Sequence, residues 1–256
     1  MKLPVTRLDR ASALFALGLI VLVILCYFWL DRPAAYWVRD LDPALRAPFM
    51  AIRDVGAGHW WLAPTGAAAL IMLPLARRMR RQGFAPLAAT LCRAGLYVFA
   101  TAGISSLALH VAKVAVGRAR PRLLMREDVY GFSPFNFDSD YSSLPSGHTN
   151  TMVAVALALG YLAPRYRAAF LVVALGLASA RVLSGSHYPG DVIAGAALAV
   201  IVAPLVHAWF ASRRLLFTPL PEGGARRRLS GRLLARLWRR AVSPAPPLPR
   251  ASLPAE

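Results

Sequence analysis

Four short stretches hold the side chains best suited to chemistry, and each lies at the end of a long apolar run. They are Lys113 and Arg120-Pro121 in "KVAVGRARP", Pro145-Ser146-Gly147-His148 in "LPSGHTN", Arg181 in "SARVLSGS", and His187 with Asp191 in "GSHYPGD". Ionisable groups at membrane depth are costly, so a cluster of them marks function. Lys113, Arg120 and Arg181 supply three cations. An arginine fork matches phosphate oxygens bidentately, whereas lysine acts as a point charge. Ser146 and Gly147 open an apolar helix, where free N–H groups and the positive dipole end favour an anion. A tetrahedral oxyanion is the ligand this set fits. Of the two histidines, one held by a carboxylate on its far nitrogen could act as nucleophile, and the other could protonate a leaving oxygen.

These residues need a scaffold, and composition says which kind. The 256-residue chain is 57% hydrophobic and only 16% charged, with mean hydropathy +0.48. A soluble domain carries about a quarter charged residues. Six apolar segments, about 11–30, 60–76, 95–116, 149–163, 168–183 and 192–211, approach the roughly 20 residues of a membrane span. The fourth and fifth are short and can cross where their outer ends open into a wet cavity. The first is too long for a signal-peptide core and lacks a cleavage site. The expected fold is all-α: an integral membrane bundle of six transmembrane helices, with the active site at the outer ends of helices three to six.

Charge sets the expected orientation. With the N-terminus inside, the inner segments carry 20 of the 30 Lys and Arg, for a net charge of +17 inside and +1 outside. That distribution places both termini in the cytoplasm. The basic excess then reads as topology, not as a nucleic-acid surface. Arg outnumbers Lys 28 to 2 and Ala is abundant, a composition that suggests a GC-rich bacterial genome, and so a bacterial inner membrane with the site facing the periplasm. Cys26 and Cys92 fall at opposite ends of the membrane, so no disulfide is expected.

The three motifs, Lys113-x6-Arg120-Pro121, Pro145-Ser146-Gly147-His148 and Arg181-x5-His187-x3-Asp191, resemble the signature of the type-2 phosphatidic acid phosphatase superfamily, which includes vanadium haloperoxidases and glucose-6-phosphatase. One position departs: Ala180 stands where that family usually has Ser before the Arg. The motif spans residues 113–191, and the six-span layout extends the likeness to about 11–211. The resemblance implies that His187 attacks phosphorus and forms a phosphohistidine, that Asp191 fixes the His187 tautomer, and that His148 protonates the leaving group and later activates water. It implies phosphate binding by Lys113, Arg120, Ser146, Gly147 and Arg181. It implies no metal and no other cofactor. The expected function is a membrane lipid phosphatase acting on a lipid phosphate or diphosphate. Undecaprenyl diphosphate is favoured as a common substrate of bacterial relatives. Phosphatidylglycerol phosphate, phosphatidic acid and lipid A phosphate remain possible. A lipid phosphotransferase using the same site, and a non-catalytic lipid transporter or binder, are the alternatives. The oligomeric state is open.

Other polar residues receive plainer readings. His110, one turn before Lys113, reads as a packed histidine, His59 as interfacial, and His207 has no evident partner. Asp138, Asp140 and Tyr141 lie in a solvated outer loop. Two domains are expected: residues 1–212 form the membrane phosphatase, and 213–256 a basic cytoplasmic tail. "RRRLSGRLLARLWRRAV" puts Leu and Trp on one helical face and Arg on the rest, so an amphipathic helix at about 226–242 is expected before a Pro-rich, disordered end.

Overall fold

The computed structural model describes residues 10–78, 85–219, 225–227 and 239. Its long helices coincide with the six apolar segments. Helix α1 (Arg10–Leu25) runs through a π-helical turn (Cys26–Leu30) into α2 (Asp31–Asp40). Helix α3 (Pro43–Ile52) starts where the Asp42 carboxylate accepts from Ala44 N at 2.7 Å, with Pro43 in the first turn. Helices α4 (Gly58–Arg78) and α5 (Ala85–Val116) follow, then a short α6 (Pro121–Glu127), α7 (Gly147–Leu162), α8 (Arg167–Leu183) and α9 (Pro189–Ser212).

The centre is α7, buried on almost every face by α4, α5, α8 and α9. This burial explains how a helix of 16 residues serves in the bundle: it is shielded by protein. Ala154, Ala156, Ala158, Ala174, Ala199 and Ala203 line its contacts with α8 and α9, and small side chains let helix backbones approach closely. Among the described residues, four helical stretches are long and apolar enough to cross a membrane: Leu17–Asp40, Ala88–Val116, Pro164–Leu183 and Pro189–Ser212. Trp29, Trp37 and Trp60 stay largely exposed, as interfacial aromatics do.

Two features depart from the expected pattern. Residues 31–59, between the first two apolar segments, are mostly helical, forming α2 and α3, and α3 packs on α8. A small antiparallel ribbon, β1 (Phe217–Pro219) and β2 (Ala225–Arg227), adds the only strands among the described residues of an otherwise helical chain. Phe217 is buried against Tyr97, His207 and Phe210, so the chain just past α9 caps that end of the core. His207, which lacked a partner in sequence, stacks on Tyr161 with ring centroids 4.0 Å apart. Arg226 and Arg227, the first residues of the expected amphipathic helix, lie in β2; apart from Arg239, the rest of that helix lies outside the described residues. Cys26 and Cys92 are both free and buried.

Candidate active site

The end of α5 sets the first half of the site. Gly117 terminates the helix at φ +61°, donating its N–H to Lys113 O at 2.8 Å. A Cβ there would fall 1.7 Å from Ser133 O, so only glycine fits this turn. The chain then runs extended through Arg118, Ala119 and Arg120, held by the loop beyond it: Ala119 N donates to Gly131 O at 3.0 Å, Arg120 N to Asp140 O at 2.8 Å, and Ser143 N to Arg118 O at 3.0 Å. Arg118 turns into the protein and is 1% exposed, whereas Arg120 turns to the cavity.

Lys113 and Arg120 converge on one carbonyl. Lys113 Nζ and Arg120 Nη2 both donate to Ser142 O, and Arg120 Nε donates to Ser139 O at 2.8 Å. Arg181, ending α8, donates to Arg53 O at 2.9 Å and lies 3.3 Å from Asp54 Oδ1. Carbonyls position Lys113 and Arg120 without cancelling their charge, so these two keep their pull on an anion, while Arg181 is paired with Asp54.

His187 is 3% exposed, and Asp191 is fully buried one turn into α9. His187 Nδ1 lies 3.4 Å from Asp191 Oδ2, within ion-pair range although outside formal hydrogen-bond geometry. The same Oδ2 accepts from Ser143 Oγ at 2.5 Å and from Tyr188 N at 3.0 Å. Burial pushes the His187 imidazole down to about 4 despite the Asp191 carboxylate, so the ring is neutral at pH 7. A neutral ring with Nδ1 facing a carboxylate leaves the Nε2 lone pair free.

His148, in the first turn of α7, is half-buried, with Nε2 3.7 Å from Asp54 Oδ1. Slight desolvation of Asp54 is outweighed by Arg53, Arg181 and His148, which hold its carboxyl below the usual range. Ser146 is the N-cap residue of α7 without a side-chain cap bond. Its hydroxyl is fully buried and accepts from Thr149 Oγ1 at 3.1 Å, while Gly147 is partly exposed. The α7 terminus therefore offers an anion its backbone N–H groups, with Ser146 seated beneath them. Ala180 is buried, and the neighbouring Ser179 hydroxyl turns back to Gly176 O, so it does not stand in for a serine at position 180.

A cavity of about 320 Å³ is lined by Arg53, Asp54, Arg120, Arg122, Arg181 and the Ser184–Ser186 turn that leads to His187; Lys113, His148 and His187 themselves do not line it. Among the described residues no cluster of His, Cys, Asp or Glu could hold a metal ion. His110 is exposed and His59 lies against Trp60; neither joins the site. Asp138 caps its own turn, and Asp140 pairs with Arg122 and Arg126.

Sequence reasoning missed a second layer. Arg118 is 1% exposed and bridges two fully buried carboxylates, donating to Asp191 Oδ1 and to Asp31 Oδ2, each at 2.8 Å. Asp31 Oδ1 accepts from Gly190 N at 2.8 Å, and a Cβ on Gly190 would sit 2.7 Å from Asp31 Oδ2. The rings of Tyr27, Tyr130 and Tyr188 surround the guanidinium, and Tyr130 Oη accepts from it at 3.1 Å. Burial works against the Arg118 charge, but Asp191 and Asp31 more than compensate and hold it firmly ionised. A signal existed: Asp31 is an acid directly after the apolar segment 11–30, where an ionisable group is expensive. Asp54 and Arg46 carried no comparable mark.

Residues 90–215 match the PAP2 superfamily. That segment holds every motif residue named above. The chain is similar to two curated proteins described as lipid A 1-phosphatases, from Rhizobium johnstonii (42% identical) and Rhizobium etli (40%), over 129 residues in each case. Each match covers 50% of this chain, and 53% and 56% of the respective relative, so the likeness spans about half the length of both. Among solved structures, a transmembrane PAP2-type phosphatidylglycerolphosphate phosphatase from Bacillus subtilis superposes with TM-score 0.51 at 19% identity, over 77% of this chain and 96% of its own. At that identity the likeness speaks for the fold.

Proposed function

We propose that this protein is a membrane lipid phosphatase that removes a phosphoryl group from a lipid phosphate or diphosphate through a phosphohistidine. The observation that carries the reading is a neutral, buried His187 backed by Asp191, beside a cavity lined by arginines. His187 Nε2 attacks phosphorus as the bond to the leaving oxygen breaks, and His148 gives that oxygen its proton. Burial and the neighbouring Arg181, Arg120 and Lys113 push the His148 imidazole down to about 4; the negative charge of the bound phosphate offsets them and so lets it carry that proton. The deprotonated His148 then takes a proton from water, whose oxygen attacks the phosphohistidine and releases phosphate and free His187. Lys113, Arg120, Arg181 and the first N–H groups of α7 bind the phosphoryl oxygens, the dominant contribution in this kind of transfer. Cationic side chains occupy the role a metal would otherwise fill.

Undecaprenyl diphosphate and lipid A 1-phosphate head the substrate panel, the second on the strength of the Rhizobium relatives. The charge asymmetry supports six spans, cytoplasmic termini and a periplasmic site in a bacterial inner membrane. A tail separate from the bundle starts later than residue 213, because Leu216 and Phe217 belong to the core. The test is phosphate release by the purified protein from both lipids, phosphatidic acid and phosphatidylglycerol phosphate, with chelator present and beside His187→Ala. Chelator-resistant release by wild type alone is expected. Release by His187→Ala at the wild-type rate would refute the nucleophile, and transfer of phosphate to an acceptor lipid without release would make the enzyme a phosphotransferase.

A further inference from the structure

The phosphate cavity does not end at the catalytic residues. A second cavity of about 110 Å³ adjoins it, lined by Val38, Arg39, Arg46, Pro121, Arg122 and Gly185 among others. Arg122 and Gly185 line both spaces. The first cavity alone exceeds what one phosphoryl group fills: at about 30 Å³ per water it holds roughly ten waters.

The cations here differ in how they are balanced. Arg39 is paired with Asp40 at 2.7 Å, and Arg122 with Asp140. Arg46 has no carboxylate partner among the described residues. Its Nη2 donates only to Ser184 O at 3.3 Å, in the turn that leads to His187, and its Nε is buried without a hydrogen-bond partner. A half-buried guanidinium with an unmet donor, beside a second arginine at the join of two cavities, is built for an anion.

We propose that Arg46 and Arg122 form a second phosphate subsite, which takes the phosphoryl group of a diphosphate substrate that is not being attacked. The shared lining places the two subsites side by side, as the two phosphates of a diphosphate are. This assignment rests on the phosphatase reading, and makes the enzyme favour diphosphates over monophosphates. Arg46 reaches the subsite because α3 packs on α8, and Gly185, at φ +73°, brings the turn under its guanidinium; a Cβ there would lie 3.4 Å from Arg46 Nη2.

The experiment compares kcat/KM for farnesyl diphosphate and farnesyl monophosphate in wild type, Arg46→Gln and Arg122→Gln. The expected result is a diphosphate-to-monophosphate ratio reduced about tenfold in each variant, mostly through KM, with Arg46→Lys recovering part of it. An unchanged ratio, or equal loss on both substrates, would overturn the subsite. In parallel, binding of inorganic pyrophosphate and orthophosphate to His187→Ala protein is measured by calorimetry, with and without Arg46→Gln. A pyrophosphate preference that disappears with Arg46 supports the subsite even if no lipid is hydrolysed, in which case the phosphatase reading fails by itself. Equal affinity for the two anions would refute the subsite while leaving the phosphatase intact.

Discussion

Replacing Arg118 by Met tests the buried charge chain beneath His187, the proposed nucleophile. Asp31, Arg118 and Asp191 together carry one net negative charge, and all three are at most 1% exposed. Arg118→Met leaves two buried carboxylates without their cation. Removing one partner of a buried pair costs about 3–5 kcal/mol. Asp31→Asn alone costs less, because Arg118 keeps Asp191 and the amide oxygen still accepts from Gly190 N. The double variant Asp31→Asn/Arg118→Met restores the original net charge, so it should be more stable than the sum of the singles by about 1–3 kcal/mol. Turnover behaves differently. Both variants lacking Arg118 lose the charged hydrogen bond that holds Asp191 Oδ1, worth about 1.5–3 kcal/mol. If that bond aims Asp191 at His187, kcat falls roughly 10–150-fold in both, with KM nearly unchanged. The assays are thermal unfolding in detergent followed by tryptophan fluorescence, and steady-state phosphate release. Strictly additive stabilities would refute the charge-balance argument. A folded Arg118→Met enzyme with wild-type kcat would refute the positioning role.

Four further outcomes are expected. Arg120→Lys keeps the charge but loses the fork that spans Ser139 O and Ser142 O, so kcat/KM should fall about tenfold in phosphate-release kinetics; an unchanged value would exclude bidentate contact. His187 has its folded pKa lowered to about 4, so its neutral form favours the folded state above the unfolded pKa near 6.5; that stability should decline as pH falls from about 6.5 to 4, as read by unfolding midpoints, and the limb of kcat/KM due to the free nucleophile should lie near pH 4. Gly117→Ala places a Cβ 1.7 Å from Ser133 O and forces a side chain into positive φ, so thermal unfolding should show clear destabilisation together with lost turnover. Truncation after Arg227 keeps β2 against β1 and should leave turnover in detergent within about twofold; collapse of activity would tie the distal tail to the fold.

The sequence by itself determined the chemistry. Lys113, Arg120, His148, Arg181, His187 and Asp191 are types with few uses at membrane depth, and their spacing ties them to helix ends. The apolar runs located the long helices because burial in lipid and in protein both demand such runs. The tertiary structure alone decided what stands behind and beside those residues. Arg118 meets Asp31 across 87 positions and Asp191 across 73, pairings that no local period encodes. Asp54 and Arg46 lie between the first two apolar segments, and they reach the site only because α3 folds back onto α8. Arg118 and Arg120 look alike in "GRARP", yet one packs into a cage of tyrosines and carboxylates and the other faces the cavity. Side-chain type is written locally; which partner compensates a buried charge depends on distances that exist only after the helices have packed.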